Sequence, residues 1–183
     1  MWGEQWRQLS LWQARLCQGY LSRPGDGLSV RVRLSQPIGS AAGPTQAWLT
    51  LKAPPPAGTL KTLEHPRGGT LALARQEFEY PIPPADAEAL LALTDQKLIK
   101  CRHGLDLPGG DWVLDVFEGA NAPLVIAEVE LGDAADSPPQ PPWCVRELTG
   151  RRELSNASLA AHPLQAWSAA ERQALLETPA QGL

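Results

Sequence analysis

Cysteines are few in this sequence and follow no disulfide or metal-binding pattern. There are three, Cys17, Cys101 and Cys144, an odd number, and none belongs to a Cys-x-x-Cys pair. A disulfide framework needs paired cysteines and a zinc knuckle needs closely spaced ones, so neither is expected. A reducing compartment, the cytoplasm, is the simplest setting for such a chain.

Long apolar runs and an excess of positive charge are also missing. No run approaches the roughly 18 apolar residues of a transmembrane helix, and no signal-peptide pattern opens the chain. The chain has 16 Lys and Arg against 20 Asp and Glu, a formal net charge of -4. This balance disfavours a surface that coats nucleic acid but is compatible with a local anion site. We expect neither a membrane nor a nucleic acid as partner.

Apolar side chains and turn-forming residues, by contrast, are plentiful. Of the 183 residues, 43% are hydrophobic, which is enough for the core of one domain. Glycine and proline number 16 and 18, and this abundance of turn-forming residues favours strands over long helices. The predicted class is α+β and mainly β.

Alternation of apolar and polar residues predicts six strands. They cover 28–34, 48–52, 75–80, 98–105, 112–117 and 124–131. A helix is predicted over 83–93, where prolines precede a run of alanines and leucines. A last helix is predicted to begin at the Ser168 to Glu171 capping box and to end near Thr178.

Two further segments show no strand periodicity. Residues 1–18 carry three tryptophans and indicate a short helix or an irregular entry. Residues 53–70 contain three consecutive prolines and a Gly-Gly, which is typical of a long connection that forms only part of a hairpin.

The predicted strands carry charges of one sign in pairs. Side chains two residues apart on a strand point to the same face. The pairs are Arg31 and Arg33, Glu77 and Glu79, Lys100 and Arg102, and Glu128 and Glu130. Three further charged residues fall on the same faces: Lys52, Arg75 and Asp115.

These charged faces have two interpretations. Alternation in a single strand usually means a half-buried sheet with a solvated outer face. Like charges about 7 Å apart repel, however, unless counter-charges or a ligand lie between them. If the faces turn inward in a barrel, the cations would hold a polyphosphate through guanidinium forks, and the carboxylates would hold Mg²⁺ or Mn²⁺.

The ordered motifs of the chain resemble those of the CYTH domain, the triphosphate tunnel metalloenzyme superfamily. The matching segments are 18–22 (QGYLS), 30–33 (VRVR), 49–52 (LTLK), 75–80 (RQEFEY), 100–102 (KCR), 115–119 (DVFEG), 127–131 (AEVEL), 141–143 (PPW), 146–150 (RELTG) and 155–159 (SNASL). The resemblance covers about residues 15–163. It divides the chain into an N-terminal remnant over 1–14, the barrel domain over 15–163 and a C-terminal helix over 164–183.

The resemblance implies an eight-stranded antiparallel closed barrel with peripheral helices and a charged interior that binds a triphosphate. Phosphate oxygens would be contacted by Arg31, Arg33, Lys52, Arg75, Lys100 and Arg102. Metal would be served by Glu128 and Glu130, with supporting roles for Glu77, Glu79 and Asp115. Catalysis would involve Glu128, Glu130 and Lys52, with Mg²⁺ or Mn²⁺ as cofactor.

One family motif has no counterpart in the sequence. The Glu-x-Glu-x-Lys of the first strand is missing, since Glu4 is the only acid before Asp26. The barrel would then have seven strands and an open edge. We hypothesise that the natural product starts about one strand, roughly 10 residues, upstream of Met1. A chain complete as it stands is expected to be severely impaired in metal-dependent hydrolysis.

The expected function is metal-dependent hydrolysis of a triphosphate, with inorganic tripolyphosphate as the leading substrate. Adenylate cyclase or thiamine or nucleoside triphosphatase activity on the same fold is a second hypothesis. A third is a catalytically impaired module that binds polyphosphate or nucleotide. The partner in each case is a small molecule, and the protein would be a monomer or a homodimer.

Overall fold

The computed structural model describes residues 4–22, 27–39, 43–53, 62–64, 70–72, 76–131 and 138–177, with 62–64 and 70–72 as backbone only. Its strands are β1 Ser10–Tyr20, β2 Ser29–Ile38, β3 Gln46–Ala53, β4 Thr62–Glu64, β5 Thr70–Ala72, β6 Gln76–Ile82, β7 Lys97–Leu105, β8 Asp111–Phe117 and β9 Val125–Glu130. Strands β4 and β5 form a separate two-stranded hairpin. That hairpin lies partly within the predicted 53–70 connection.

The other strands form a seven-stranded sheet in the order β6-β3-β2-β1-β7-β8-β9, with every pair antiparallel. This confirms the predicted α+β, mainly β class and its six predicted strands. The seven strands agree with the smaller of the two expected strand numbers, and the sheet differs from a closed barrel in one detail. Within the described residues, no backbone pairing joins β6 to β9, so the sheet is not strictly closed.

The centre of the sheet is a strand that the sequence pattern does not reveal. Residues Gln5–Leu9 form one turn of 3-10 helix, and β1 then runs for 11 residues between β2 and β7. Both faces of β1 are partly covered: Leu16 and Gln18 are buried on one face, and on the other Gly19 is buried while Arg15 is exposed. Its apolar and polar residues therefore do not alternate simply. The strand begins at Ser10, ahead of the position where we placed the start of the barrel domain.

In the described part of the chain, three α-helices flank the sheet: α1 Pro84–Ala92, α2 Asn156–Ala161 and α3 Ala169–Glu177. Short 3-10 turns occupy Gly119–Asn121, Arg152–Leu154 and Leu164–Ala166. The predicted capping box opens α3, since the Ser168 amide donates to Glu171 Oε2 (2.7 Å) and the Glu171 amide donates to Ser168 Oγ (3.2 Å).

The helices cover different parts of the sheet. Helix α1 packs on the apolar side of β2 and β3, where Val32 is fully buried. Helix α2 and the turns around it pack against Tyr20 and Phe117, which lie on the opposite side of the sheet. One end of that side is therefore filled by an apolar core, which we call the plug. It is formed by Leu154, Leu159, Ala160 and Trp167 together with Tyr20, Leu98 and Phe117.

Among the described residues, no helix is long and apolar enough to span a membrane. The three cysteines all lie in the described part of the chain and are free thiols.

Candidate functional site

Strand register brings the predicted site residues to one face of the sheet. Residues paired across neighbouring strands project to the same side. Thr50 pairs with Arg31 on β2 and with Glu79 on β6, which links three strands on this side. We call this surface the charged face, and it carries Arg31, Arg33, Lys52, Glu77, Glu79, Lys100, Arg102, Asp115, Glu128 and Glu130. The eleventh predicted residue, Arg75, lies outside the described residues.

The first half of the charged face is built on β2, β3 and β6. Arg31 Nη2 donates to Glu79 Oε2 (3.1 Å) and to Thr50 Oγ1 (3.0 Å), while Arg33 Nη2 donates to Glu79 Oε1 (3.1 Å). Lys52 Nζ lies 2.9 Å from Glu77 Oε2. The carboxylates thus separate cations that would otherwise repel one another.

Charge interactions in this half shift two pKa values. Burial by itself would raise the pKa of Glu79, but the Thr50 hydroxyl and the two arginines outweigh burial and lower that pKa. Burial and the neighbouring Arg31 lower the pKa of Arg33, against the opposing effect of Glu79. The Arg33 guanidinium also stacks over the Trp48 ring at 5.0 Å. The Arg33 guanidinium is therefore held in place, and its positive charge would be stabilised by a bound anion.

The second half of the charged face centres on a buried carboxylate. Asp115 is 1% exposed and accepts from Lys100 Nζ (2.6 Å) and, in a bidentate fork, from Arg102 Nε and Nη2 (2.7 Å each). Arg102 reaches Glu128 as well (3.1 Å). Burial would raise the pKa of Asp115, but Arg102 and Lys100 outweigh it and lower that pKa. Lys100 itself has no exposed surface, and burial lowers its pKa.

The two halves act on each other across the face. The charge of Arg102, on β7, helps to lower the pKa of Arg33, on β2. Burial raises the pKa of Tyr20 to about 12. The charges of Arg31 and Arg33 on β2 oppose this rise, and the charge of Glu128 on β9 adds to it. Charges from both sides of the central strand therefore influence one phenol.

Two buried polar atoms on this face lack a partner. Within the described residues, Arg31 Nε and Gln18 Oε1 are buried and have no hydrogen-bond partner. Gln18 pairs with Arg33 in the β1–β2 register, so its amide lies beside the cations. An unpaired buried donor is costly, and a phosphate oxygen is a natural acceptor for Arg31 Nε.

The carboxylates fit a divalent cation only in part. Among the described residues, no three histidine, cysteine, aspartate or glutamate side chains converge on one point. Glu77, Glu79 and Asp115 are engaged in ion pairs with lysine and arginine. Glu128 and Glu130 project from the same face of β9 and offer the carboxylate oxygens that Mg²⁺ and Mn²⁺ prefer, although Glu128 also pairs with Arg102. The described residues thus supply part of a metal site.

The ends of the charged face differ. At the plug end, Asn156 of α2 accepts from Lys100 Nζ (2.9 Å). At the other end, the Trp12 indole lies directly over Gly104, where a Cβ would collide with the ring. Trp12 is 47% exposed there. A glycine at 104 is required by this close approach.

Several residues of the site escape the sequence analysis. Glu130 has an unpredicted neighbour, Asp111, directly opposite it on β8. The other unpredicted residues of the site are Trp12, Gln18, Tyr20, Trp48, Thr50 and Asn156. Thr50 alternates with Lys52 on the same face of the predicted strand, which is a usable signal. Asn156 lies in the 155–159 motif of the family resemblance, but that motif does not indicate its contact with Lys100, which depends on packing between distant segments.

Acid is expected to destabilise the protein through Asp115. Its pKa is lowered from the usual 3.8, so its contribution to stability is complete above that value and is lost as pH falls through the lower folded-state pKa. In urea unfolding measured from about pH 7 down to about pH 2, the free energy of unfolding should fall more steeply with decreasing pH for the wild type than for Asp115→Asn. Equal slopes for the two proteins would contradict this assignment.

Fold and site together define an α+β protein whose antiparallel sheet presents paired cations and carboxylates on one curved face. The CYTH domain model matches residues 2–162. An inorganic triphosphatase of Nitrosomonas europaea is 34% identical over 149 residues, which is 79% of this chain and 83% of that protein. The chain belongs to the CYTH domain family, the triphosphate tunnel superfamily.

Two further comparisons agree with the family. An inorganic triphosphatase of Acetivibrio thermocellus is 35% identical over 99 residues, 53% of this chain. The match spans 64% of that relative, slightly less than two thirds of its length. A crystal structure of an inorganic triphosphatase superposes with a TM-score of 0.51 at 30% identity, covering 81% of this chain and 85% of the other.

Proposed function

We propose that this chain hydrolyses a phosphoanhydride bond of a triphosphate, with inorganic tripolyphosphate as substrate and Mg²⁺ or Mn²⁺ as the required ion. The observation that carries the proposal is the gathering of five described cations on one curved face, with Arg31 Nε buried and unpaired among the described residues. The names of the relatives support the choice of an inorganic substrate.

The arginines would bind the substrate. Glu79 holds Arg31 and Arg33 side by side, so the donors are already oriented when a phosphate arrives. Arg102 is held in the same way by Asp115. Arg33 and Arg102 keep 20% and 19% of their side-chain surface exposed, whereas Lys100 keeps none. Direct phosphate contact therefore falls to the arginines and Lys52 rather than to Lys100.

The carboxylates of β9 would serve the reaction itself. Glu130 is exposed at the end of β9, next to the β7–β8 turn, where the Glu130 carbonyl lies 2.5 Å from a Cβ built on Gly110. A divalent cation would neutralise charge on phosphate oxygens, and Glu128 and Glu130 would hold it. Water attacks the terminal phosphorus in line, its proton passes to the Glu130 carboxylate, and the P–O bond to pyrophosphate breaks.

The direct test is release of phosphate from tripolyphosphate with Mg²⁺ or Mn²⁺, and with EDTA as the metal-free control. We expect hydrolysis that EDTA abolishes. Arg33→Ala should raise KM about 30-fold, since a charge-assisted contact contributes roughly 2 kcal/mol. Arg33→Lys should recover only part of the affinity, because lysine lacks the planar fork. Binding of tripolyphosphate without turnover in the wild type would favour the non-catalytic module. An unchanged KM in Arg33→Ala would show that Arg33 does not bind the substrate.

A second candidate substrate is a triphosphate that carries a planar group, such as a nucleoside or thiamine triphosphate. The half-exposed Trp12 indole, seated over Gly104 beyond Arg102 on β7, favours it. Such a ring offers a stacking surface at the end of the charged face away from the plug. Adenylate cyclase activity belongs to the same candidate and would appear as cyclic AMP formed from ATP.

Trp12→Ala separates the two candidates. If Trp12 stacks on a base, ATP affinity should fall about tenfold, while tripolyphosphate affinity stays within twofold, because stacking contributes roughly 1–3 kcal/mol. Trp12→Phe is the matched control and should retain most of the ATP affinity. Isothermal titration with both ligands checks this. Equal losses for the two ligands would show that Trp12 acts through the fold rather than on a base.

A further inference from the structure

The buried ammonium of Lys100 joins the plug to the charged face. Lys100 Nζ donates to Asp115 Oδ2 (2.6 Å) and to Asn156 Oδ1 (2.9 Å), and it lies 5.3 Å from the centre of the Phe117 ring. Asp115 in turn holds Arg102 through both of its oxygens (2.7 Å each). A continuous series of hydrogen bonds therefore runs from the amide of Asn156 to the guanidinium of Arg102.

Asn156 is itself held firmly. Ser155 caps α2, since its Oγ accepts from the Ser158 amide (3.2 Å). Leu159, on the same helix, is fully buried in the plug. The backbone at Asn156 is thus held by the cap and by the burial of its helix, so its side-chain oxygen is placed to accept from Lys100.

We propose that Asn156 is a positioning residue that, through Lys100 and Asp115, holds Arg102 in the orientation required to bind the triphosphate. The proposal rests on the proposed function, because Arg102 is taken to contact phosphate. It assigns to the C-terminal segment a part in the site that no sequence motif of charged residues indicates. Lys100 acts here as an internal support rather than as a ligand of the substrate.

The chemistry of an amide suits this position. Asp115 and Glu128 balance the two neighbouring positive charges, those of Lys100 and Arg102, and Asn156 adds an acceptor without adding negative charge. A second carboxylate at 156 would draw Lys100 away from Asp115. The charge of Asp115 would then be less neutralised by Lys100. Asp115 would bind the Arg102 guanidinium more tightly and leave it less able to bind phosphate. The neutral acceptor stabilises the buried ammonium and leaves the balance at Arg102 unchanged.

The test is a double-mutant cycle with Asn156→Ala and Lys100→Met, read out by titration with sodium tripolyphosphate. Binding by the wild type is measured first, and its absence would count against the proposed function alone. We expect Asn156→Ala to weaken tripolyphosphate binding about tenfold in the wild-type background, as loss of a hydrogen bond to a charged group does. In the Lys100→Met background the same change should alter binding less than twofold, because the support is already broken.

Kinetics and a matched variant complete the test. Asn156→Ala should raise KM about tenfold and leave kcat within twofold, since the effect is on binding. Ser158→Ala is the control on the same helix: it removes the hydrogen bond from Ser158 Oγ to the Arg152 carbonyl and should leave binding unchanged. Equal losses from Asn156→Ala in both backgrounds, or an equal loss from Ser158→Ala, would overturn the proposal and reduce Asn156 to a general stabiliser of the plug.

Discussion

Replacing Asp115 by alanine is expected to lower the free energy of unfolding by about 3–5 kcal/mol, because the change leaves a buried ammonium without its counter-charge. Lys100 has no exposed surface and Asp115 is its ionic partner at 2.6 Å. For a chain of this length, such a loss corresponds to a fall in Tm of roughly 10 °C. Thermal and urea unfolding monitored by circular dichroism measure it.

Two further variants show whether charge is the cause. Lys100→Met combined with Asp115→Leu removes both members of the buried pair and should recover most of the stability, since apolar replacements of an ion pair are often neutral. Asp111→Asn, at an exposed position of the same strand, should change stability by less than about 0.5 kcal/mol. A double variant as unstable as Asp115→Ala would point to packing rather than to an unpaired charge.

Glu130→Ala is expected to abolish turnover of tripolyphosphate while leaving the fold intact. The proposed function assigns this carboxylate to the divalent ion and to the attacking water, so kcat should fall by about 100-fold or more. The side chain is exposed at the end of β9, and its loss removes no packing from the core. Phosphate release at saturating substrate and Mg²⁺ gives kcat, and an unchanged Tm shows that the fold is retained.

The matched control for Glu130 is a carboxylate on the other side of the sheet. Glu118 pairs with Arg15 on β1 (3.0 Å), away from the charged face, so Glu118→Ala should hydrolyse tripolyphosphate at the wild-type rate. Normal turnover by Glu130→Ala would remove the end of β9 from the reaction. Equal losses in the two variants would indicate a general effect of surface charge.

Local periodicity predicts most of the sheet. The doubled charges at i and i+2 assign Arg31 and Arg33 to one face of a strand before any pairing is known, because side-chain direction alternates with a period of two. The antiparallel register then brings the separate strands together on that face. The capping box at Ser168 is equally local, and it opens α3 as predicted.

Features that depend on distant contacts cannot be read in this way. Strand β1 has neighbours on both edges and cover on both faces, so its sequence lacks the pattern of a half-buried strand. The burial of Lys100 follows from the packing of α2, whose first residue lies 56 positions away along the chain. The position of a basic side chain in an alternating strand predicts which face of the sheet it projects from. It does not predict whether that face is exposed or covered at that point.

The plug limits the routes by which substrate and products can reach and leave the charged face. Apolar packing of α2 against Tyr20 and Phe117 closes one end of the charged face, while Trp12 and Glu130 lie exposed at the other. On the proposed function, substrate and products cannot pass through the plug, so they must enter and leave at the end near Trp12 and Glu130 or along the β6 and β9 edges, which the described residues leave unpaired. A longer phosphate polymer could not extend past the plug, and the part beyond the charged face would have to leave by these same routes.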